Sequence, residues 1–300
     1  MMMKFFKIAL GVFIAIFIAS AVAFYYVIEH VAPYSPIKPS RVKHTASLDT
    51  SKAEEFNIIV EDSITLKGLF IHALTDKPYG TVIILHGIAS SRESQLDMAE
   101  NLSVQGFNSI VFDLRAQGES GGTYCTFGYY EKFDVSRYID ESLKRYKNSA
   151  PFAVMGHSLG GAIAIQAMAK DKRIKCGVVS STFTSLKEIT FDYMKRLTGI
   201  PFRFVSDISL KNSEKIARFP VDVVSPEEYA KKVCQPVLLI HGTNDERISI
   251  NYGKRIFKNL KSPDKQWYPV KGANHNNLWE IGGKEYQRRI AGFLKTYLKD

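Results

Sequence analysis

Phe152-Ala-Val-Met155 followed by Gly156-His157-Ser158-Leu159-Gly160-Gly161 decides how this chain is read. Four apolar residues of strand character run into a G-x-S-x-G turn, and a helical stretch of small residues follows, Leu159 to Lys170. A bare G-x-S-x-G is common, and a serine there can simply cap a helix. The strand before it and the helix after it give it weight. A tight turn between the two needs small residues two places before and after the serine. The serine then stands at a helix N-terminus, where backbone N–H groups and the helix dipole favour developing negative charge. Ser158 is therefore the candidate nucleophile.

Outward from this turn, short buried runs alternate with helix-length stretches. Thr81 to Leu85, Ser109 to Phe112, Cys176 to Ser180 and Val237 to Ile240 read as buried strands. Phe56 to Val60 and Thr65 to His72 read as an opening pair. Between the strands, the stretch up to Val104, the amphipathic Phe133 to Tyr146 and the closing Gly282 to Leu298 read as helices. Such alternation predicts an α/β fold with a mainly parallel sheet flanked by helices. Function then gathers at the carboxyl ends of the strands. His86-Gly87, Asp113, Ser158 and His241-Gly242 all fall there. From about Thr182 to Lys232 the rhythm breaks, with no buried-strand signal and many large apolar side chains. This stretch is read as a helical cap, or else as an extra helical layer without a substrate role.

A serine hydroxyl is a weak nucleophile and needs a base. The order Ser, acid, His suits a strand–turn–helix serine. Downstream of Ser158 there are two histidines, His241 and His275. His241 precedes the acidic candidates, so His275 is the candidate base. The acid follows the run Val237 to Ile240: Asp245, with Glu246 as alternative. For the oxyanion, the backbone N–H groups of Leu159 and of Ile88, in the loop His86-Gly87-Ile88-Ala89-Ser90, are the candidates. His86 and His157 read as structural.

Taken together, His86-Gly87, Asp113-Leu-Arg115-Ala-Gln117-Gly118-Glu-Ser120, the G-x-S-x-G turn, His241-Gly242-Thr-Asn-Asp245 and His275 resemble the α/β-hydrolases of the serine aminopeptidase and monoacylglycerol-lipase-like group. The resemblance covers about residues 55 to 300. It implies acyl transfer to water through an acyl-serine, with no metal or cofactor. Ala116 and Gln117 stand where the group usually has Gly and often His, which weakens inference about the substrate. Serine at position 158 departs from the aspartate that haloalkane dehalogenases and epoxide hydrolases would require.

The ends of the chain suggest where it works. Lys4 and Lys7 precede an uncharged run from Ile8 to Ile28. As a helix that run would cover about 31 Å, against a hydrocarbon core of about 30 Å. A transmembrane signal anchor (1–30) is the expectation, and a signal peptide cleaved after Ala21-Val22-Ala23 is the alternative. The lysines favour a catalytic domain on the extracytoplasmic side; cleavage would make it secreted or periplasmic. Residues 31–53, with Pro33, Pro36 and Pro39, read as a stalk, and 54–300 as the hydrolase domain.

The net charge is +10, and residues 251–300 hold eleven Lys/Arg against four Asp/Glu. A basic face towards anionic lipid and a set of solvated helix faces both fit. No basic block is interleaved with aromatics, which excludes an evident nucleic-acid site. Cys125, Cys176 and Cys234 are odd in number and widely spaced, so they form no disulfide framework or zinc pattern. Oligomeric state leaves no trace in the sequence. The leading function is hydrolysis of carboxylic esters or thioesters of lipid-like acyl substrates. A peptidase of the aminopeptidase type, with Glu227-Glu228 binding a substrate amine, is the alternative. A catalytically silent membrane-bound binding protein is the third reading.

Overall fold

The computed structural model describes residues 2–27, 37–42, 53–199 and 201–299, with the backbone alone for 2–11 and 62. Its centre is an eight-stranded sheet, in the order β1-β4-β6-β5-β7-β8-β9-β10. The strands are β1 (Ala53–Glu55), β4 (Gly68–Ile71), β5 (Thr81–Leu85), β6 (Asn108–Phe112), β7 (Phe152–His157), β8 (Ile174–Ser180), β9 (Val237–Gly242) and β10 (Lys265–Val270). From β6 to β10 all neighbours run parallel, while β1 and β4 join antiparallel at one edge. A separate hairpin pairs β2 (Ile58–Ile59) with β3 (Thr65–Leu66). The two expected opening strands are thus broken: the hairpin takes one part, and only β4 enters the sheet.

Both faces of the sheet are covered, which is why central strands such as β5 are apolar runs rather than alternating. Ile83, Leu85, Val154 and Leu239 point into one core. There they meet α3 (Glu131–Arg145), α4 (Leu159–Lys170) and α8 (Ile250–Asn259). Val82, Ile84, Met155 and Leu238 point into the other, against α2 (Leu96–Val104) and α9 (Leu278–Leu298). Cys176 is fully buried in this second core, as read from its apolar run. Between β8 and β9 the chain runs through α5 (Leu186–Thr198), α6 (Arg203–Ala217) and the short α7 (Pro226–Ala230), with no strand among the described residues.

Strand order reverses around β5: the chain passes to β6 on one side, then returns to β7 on the other. A crevice forms at such a switch point, at the carboxyl ends of the strands. Leu85 lies opposite Gly156 in the register, so the loops after β5 and β7 leave the sheet side by side.

The N-terminal region departs from expectation in two ways. Helix α1 (Met2–Tyr26) forms, and every side chain from Val12 to Val27 is exposed. Yet among the described residues no helix is long and apolar enough to cross a membrane. Most of the expected stalk lies outside the described residues. Its described part, 37–42, is no free spacer: Ile37 is fully buried and accepts the Cys125 N–H at 2.7 Å. Arg41 donates to the carbonyls of Gly118, Ser120 and Gly122.

Candidate active site

Ser158 occupies the turn between β7 and α4 with φ 56° and ψ −117°, a conformation that non-glycine residues rarely adopt. The surroundings enforce it. The Ser158 N–H donates to Ser180 O at 2.9 Å, and its carbonyl accepts from Thr182 Oγ1 at 2.8 Å. The flanking glycines are required by close approach. A Cβ on Gly156 would lie 2.2 Å from the Gly160 carbonyl oxygen, and one on Gly160 would lie 2.2 Å from that of Leu85. The expected need for small residues on both sides thus has a specific cause: the turn is pressed against itself and against β5.

The loop after β5 lies beside this turn. A methyl group on Gly87 would sit 3.6 Å from Ser158 Cβ. His86 is fully buried and serves the loop itself. Its Nε2 accepts the Leu114 N–H at 3.0 Å, which leaves Nδ1–H to donate to Gly87 O at 2.7 Å. Ile88 and Leu159, the predicted oxyanion residues, both border the same cavity as Ser158.

The acid and base candidates meet across neighbouring loops. His241-Gly242 ends β9, and Val270, paired with Gly242, ends β10. His275 follows β10, and its Nδ1 lies 2.8 Å from Asp245 Oδ2. The other oxygen, Oδ1, accepts the N–H groups of Arg247 and Ile248 at 3.0 and 2.9 Å. The Asp245 carboxyl is fully buried, whereas Glu246 is exposed, so geometry separates the two alternatives. Burial raises the Asp245 pKa, but the hydrogen bond from His275 and its charge outweigh it and hold the carboxyl below its usual range. Only Nδ1 of His275 faces this carboxylate, so Nε2 is left for proton transfer.

Two other histidines frame the pair. His157 lies with its ring centroid 4.7 Å from that of His275. Burial, and then His275, push its pKa down to about 3, so it packs as a neutral ring. His241 is fully buried, and its Nε2 donates to Ile248 O at 2.9 Å. It thereby fixes the segment that holds the Asp245 carboxylate.

Above Ser158 opens a cavity of about 390 Å³. Its described lining is almost wholly apolar and contains no charged side chain: Ile88, Phe127, Leu159, Phe183, Ile189, Tyr193, Met194 and Val205 are the larger contributors. Tyr193 and Met194 come from α5 and Val205 from α6, so the helices between β8 and β9 supply part of the cavity wall.

A family model described as the alpha/beta hydrolase fold matches residues 80–204. Among solved structures, the Pyrococcus furiosus esterase Pf2001 superposes with a TM-score of 0.73 and 26% sequence identity. The match covers 88% of this chain and 99% of that one. The chain has the α/β-hydrolase fold. Relatives in sequence include the uncharacterized protein YqkD of Bacillus subtilis, 24% identical over 76% of this chain and 75% of that protein. Mouse lysophosphatidylserine lipase ABHD12 is 22% identical over 64% of this chain and 48% of that protein. With this fold and an esterase as structural neighbour, the chain is built as an enzyme of the serine hydrolase type.

Two contributions in this α/β-hydrolase were not legible as site features. Gln117, fully buried in the loop after β6, accepts the Ala89 N–H through Oε1 at 2.7 Å and so braces the loop carrying Ile88. Its position among Arg115, Gly118 and Ser120 marked the loop, but nothing in the sequence marked its target. Thr182, at the start of the predicted cap, clamps the serine turn instead.

Proposed function

We propose that this α/β-hydrolase cleaves carboxylic ester or thioester bonds of lipid-like acyl substrates through an acyl-Ser158 intermediate. His275 Nε2 takes the proton from Ser158 Oγ as the oxygen attacks the acyl carbon, and Asp245 steadies the resulting imidazolium. The N–H groups of Ile88 and Leu159 receive the oxyanion. The tetrahedral intermediate collapses, His275 protonates the leaving alcohol or thiol, and the acyl group stays on Ser158. His275 then deprotonates water, which releases the acid and restores the serine.

The observation that carries this reading is the uncharged cavity of about 390 Å³ above Ser158. An apolar acyl chain fits such a lining, while a substrate ammonium would find no carboxylate there. Glu227 and Glu228, the pair that an aminopeptidase would use, are engaged elsewhere. Glu227 pairs with Arg255 at 2.5 Å, and Glu228 with Lys231 at 2.6 Å. Each buried methylene is worth about 0.8 kcal/mol, so going from acetyl to octanoyl offers about 5 kcal/mol. Chain ordering and imperfect fit will remove part of it. The kcat/KM for p-nitrophenyl octanoate should exceed that for the acetate by about tenfold or more. A flat or falling series, with faster cleavage of aminoacyl-nitroanilides, would favour the peptidase reading.

We further infer that α1 tethers the enzyme to a membrane, with the catalytic domain on the extracytoplasmic side. A helix with no charged residue from Ile8 to Tyr26, whose described side chains are all exposed and mostly apolar, supports this. The full chain should stay with membranes through high-salt and alkaline carbonate washes. A mature protein beginning at Phe24, found by mass spectrometry, would instead show signal-peptide cleavage.

A further inference from the structure

We propose that the C-terminal end of α1 forms a wall of the substrate cavity, so that the tether also binds the distal part of a long acyl chain. The inference rests on the acyl-ester reading above and adds a subsite to it. Phe24 and Val27 border the same cavity as Ser158, although more than 130 residues separate them in sequence. Tyr193, Met194 and Leu197 of α5 border it too.

The lining residues differ in exposure. Leu159, Phe183 and Ile189 are buried, at 1%, 3% and 6% exposure, whereas Phe24 and Val27 are 45% and 47% exposed and Leu197 78%. The end made by α1 is thus open and apolar. Phe202 and Phe204, at the start of α6, add further exposed aromatic surface, at 59% and 56%. Apolar surface of this kind is covered by something in the working state. A hydrocarbon chain whose carbonyl reacts at Ser158 would cover the α1 end as it leaves the buried part of the cavity. A short acyl group would end before reaching it. The subsite therefore discriminates by length, and a chain drawn from a bilayer would meet α1 on its way in.

The test uses the full chain in one detergent and reads the ratio of kcat/KM for p-nitrophenyl dodecanoate to that for the acetate. Phe24→Ala/Val27→Ala should lower this ratio about tenfold or more, and Phe24→Leu, which keeps apolar bulk, should restore most of it. Both positions lie outside the two cores, so folding does not confound the result. Phe13→Ala, on the same helix away from the cavity, should leave the ratio as in the parent. A steep parental ratio that the double variant keeps would overturn the α1 subsite alone. An equal fall with Phe13→Ala would overturn it too, by making the effect a general one of the helix. A parental ratio near one would sink the acyl-ester reading, and the subsite with it.

Discussion

Ser158→Ala protein will fold, lose turnover by about five to six orders of magnitude, and fail to react with a fluorophosphonate. The folding half of this expectation comes from the turn. Its strain is imposed by Ser180, Thr182 and Gly160 through backbone atoms and neighbouring side chains, none of which involves the serine hydroxyl. Alanine inherits the same φ of 56° and the same contacts. The catalytic half follows from the proposed mechanism, in which the Ser158 oxygen forms the acyl-enzyme. What remains, the oxyanion donors and the cavity, gives about 10³- to 10⁴-fold over water in other serine hydrolases. Intact-mass spectrometry after labelling decides the matter. A Ser158→Ala sample that still gains one label per chain places the nucleophile elsewhere.

Asp245→Asn should reduce turnover about 10⁴-fold while leaving the fold intact. The Oδ1 position is already committed to the N–H groups of Arg247 and Ile248. An asparagine keeps its carbonyl oxygen there and turns its NH₂ towards His275 Nδ1. That nitrogen must then accept, so the ring proton moves to Nε2, where it blocks the base. The site is fully buried, so water cannot readily repair the change. Glu246→Gln should be nearly silent, because that side chain is exposed. Steady-state kinetics on both variants test the assignment, and a damaging Glu246→Gln beside a harmless Asp245→Asn would reverse it. The sign with pH is also fixed. A carboxylate whose pKa is lowered by folding stabilises the protein above its unfolded value of about 3.9, and loses that contribution as pH falls through the lower, folded value.

The elements that position the site could be read closely. β5 and α4 match their sequence bounds, because one is a continuous apolar run and the other a helix of small residues between clear punctuation. The edges could not. β10 is not marked by the sequence, since Lys265-Gln-Trp-Tyr-Pro-Val270 mixes polar, aromatic and proline residues on an edge strand. β1, Ala53-Glu-Glu55, carries no β-forming residue and is held by pairing with β4. In α3 the amphipathic pattern does not fix which way Phe133 faces. It is 40% exposed, while Lys132 and Asp134 are buried, Asp134 in a bidentate pair with Arg115. Tertiary ion pairing overrides hydrophobic pattern there. The order Ser, acid, His brought out the residues that geometry then joined as Asp245 and His275, but the bracing of the Ile88 loop by Gln117 depends on a contact between distant loops.

The uncharged lining above Ser158 also bears on how a turnover would end. Ester substrate enters neutral, but the acid released from an acyl-serine ionises near neutral pH. A carboxylate in a cavity without a cation or ammonium is poorly solvated, and its cheapest course is to leave for water. The same absence of charge that admits the substrate would thus eject the product, giving the reaction a direction without any moving part.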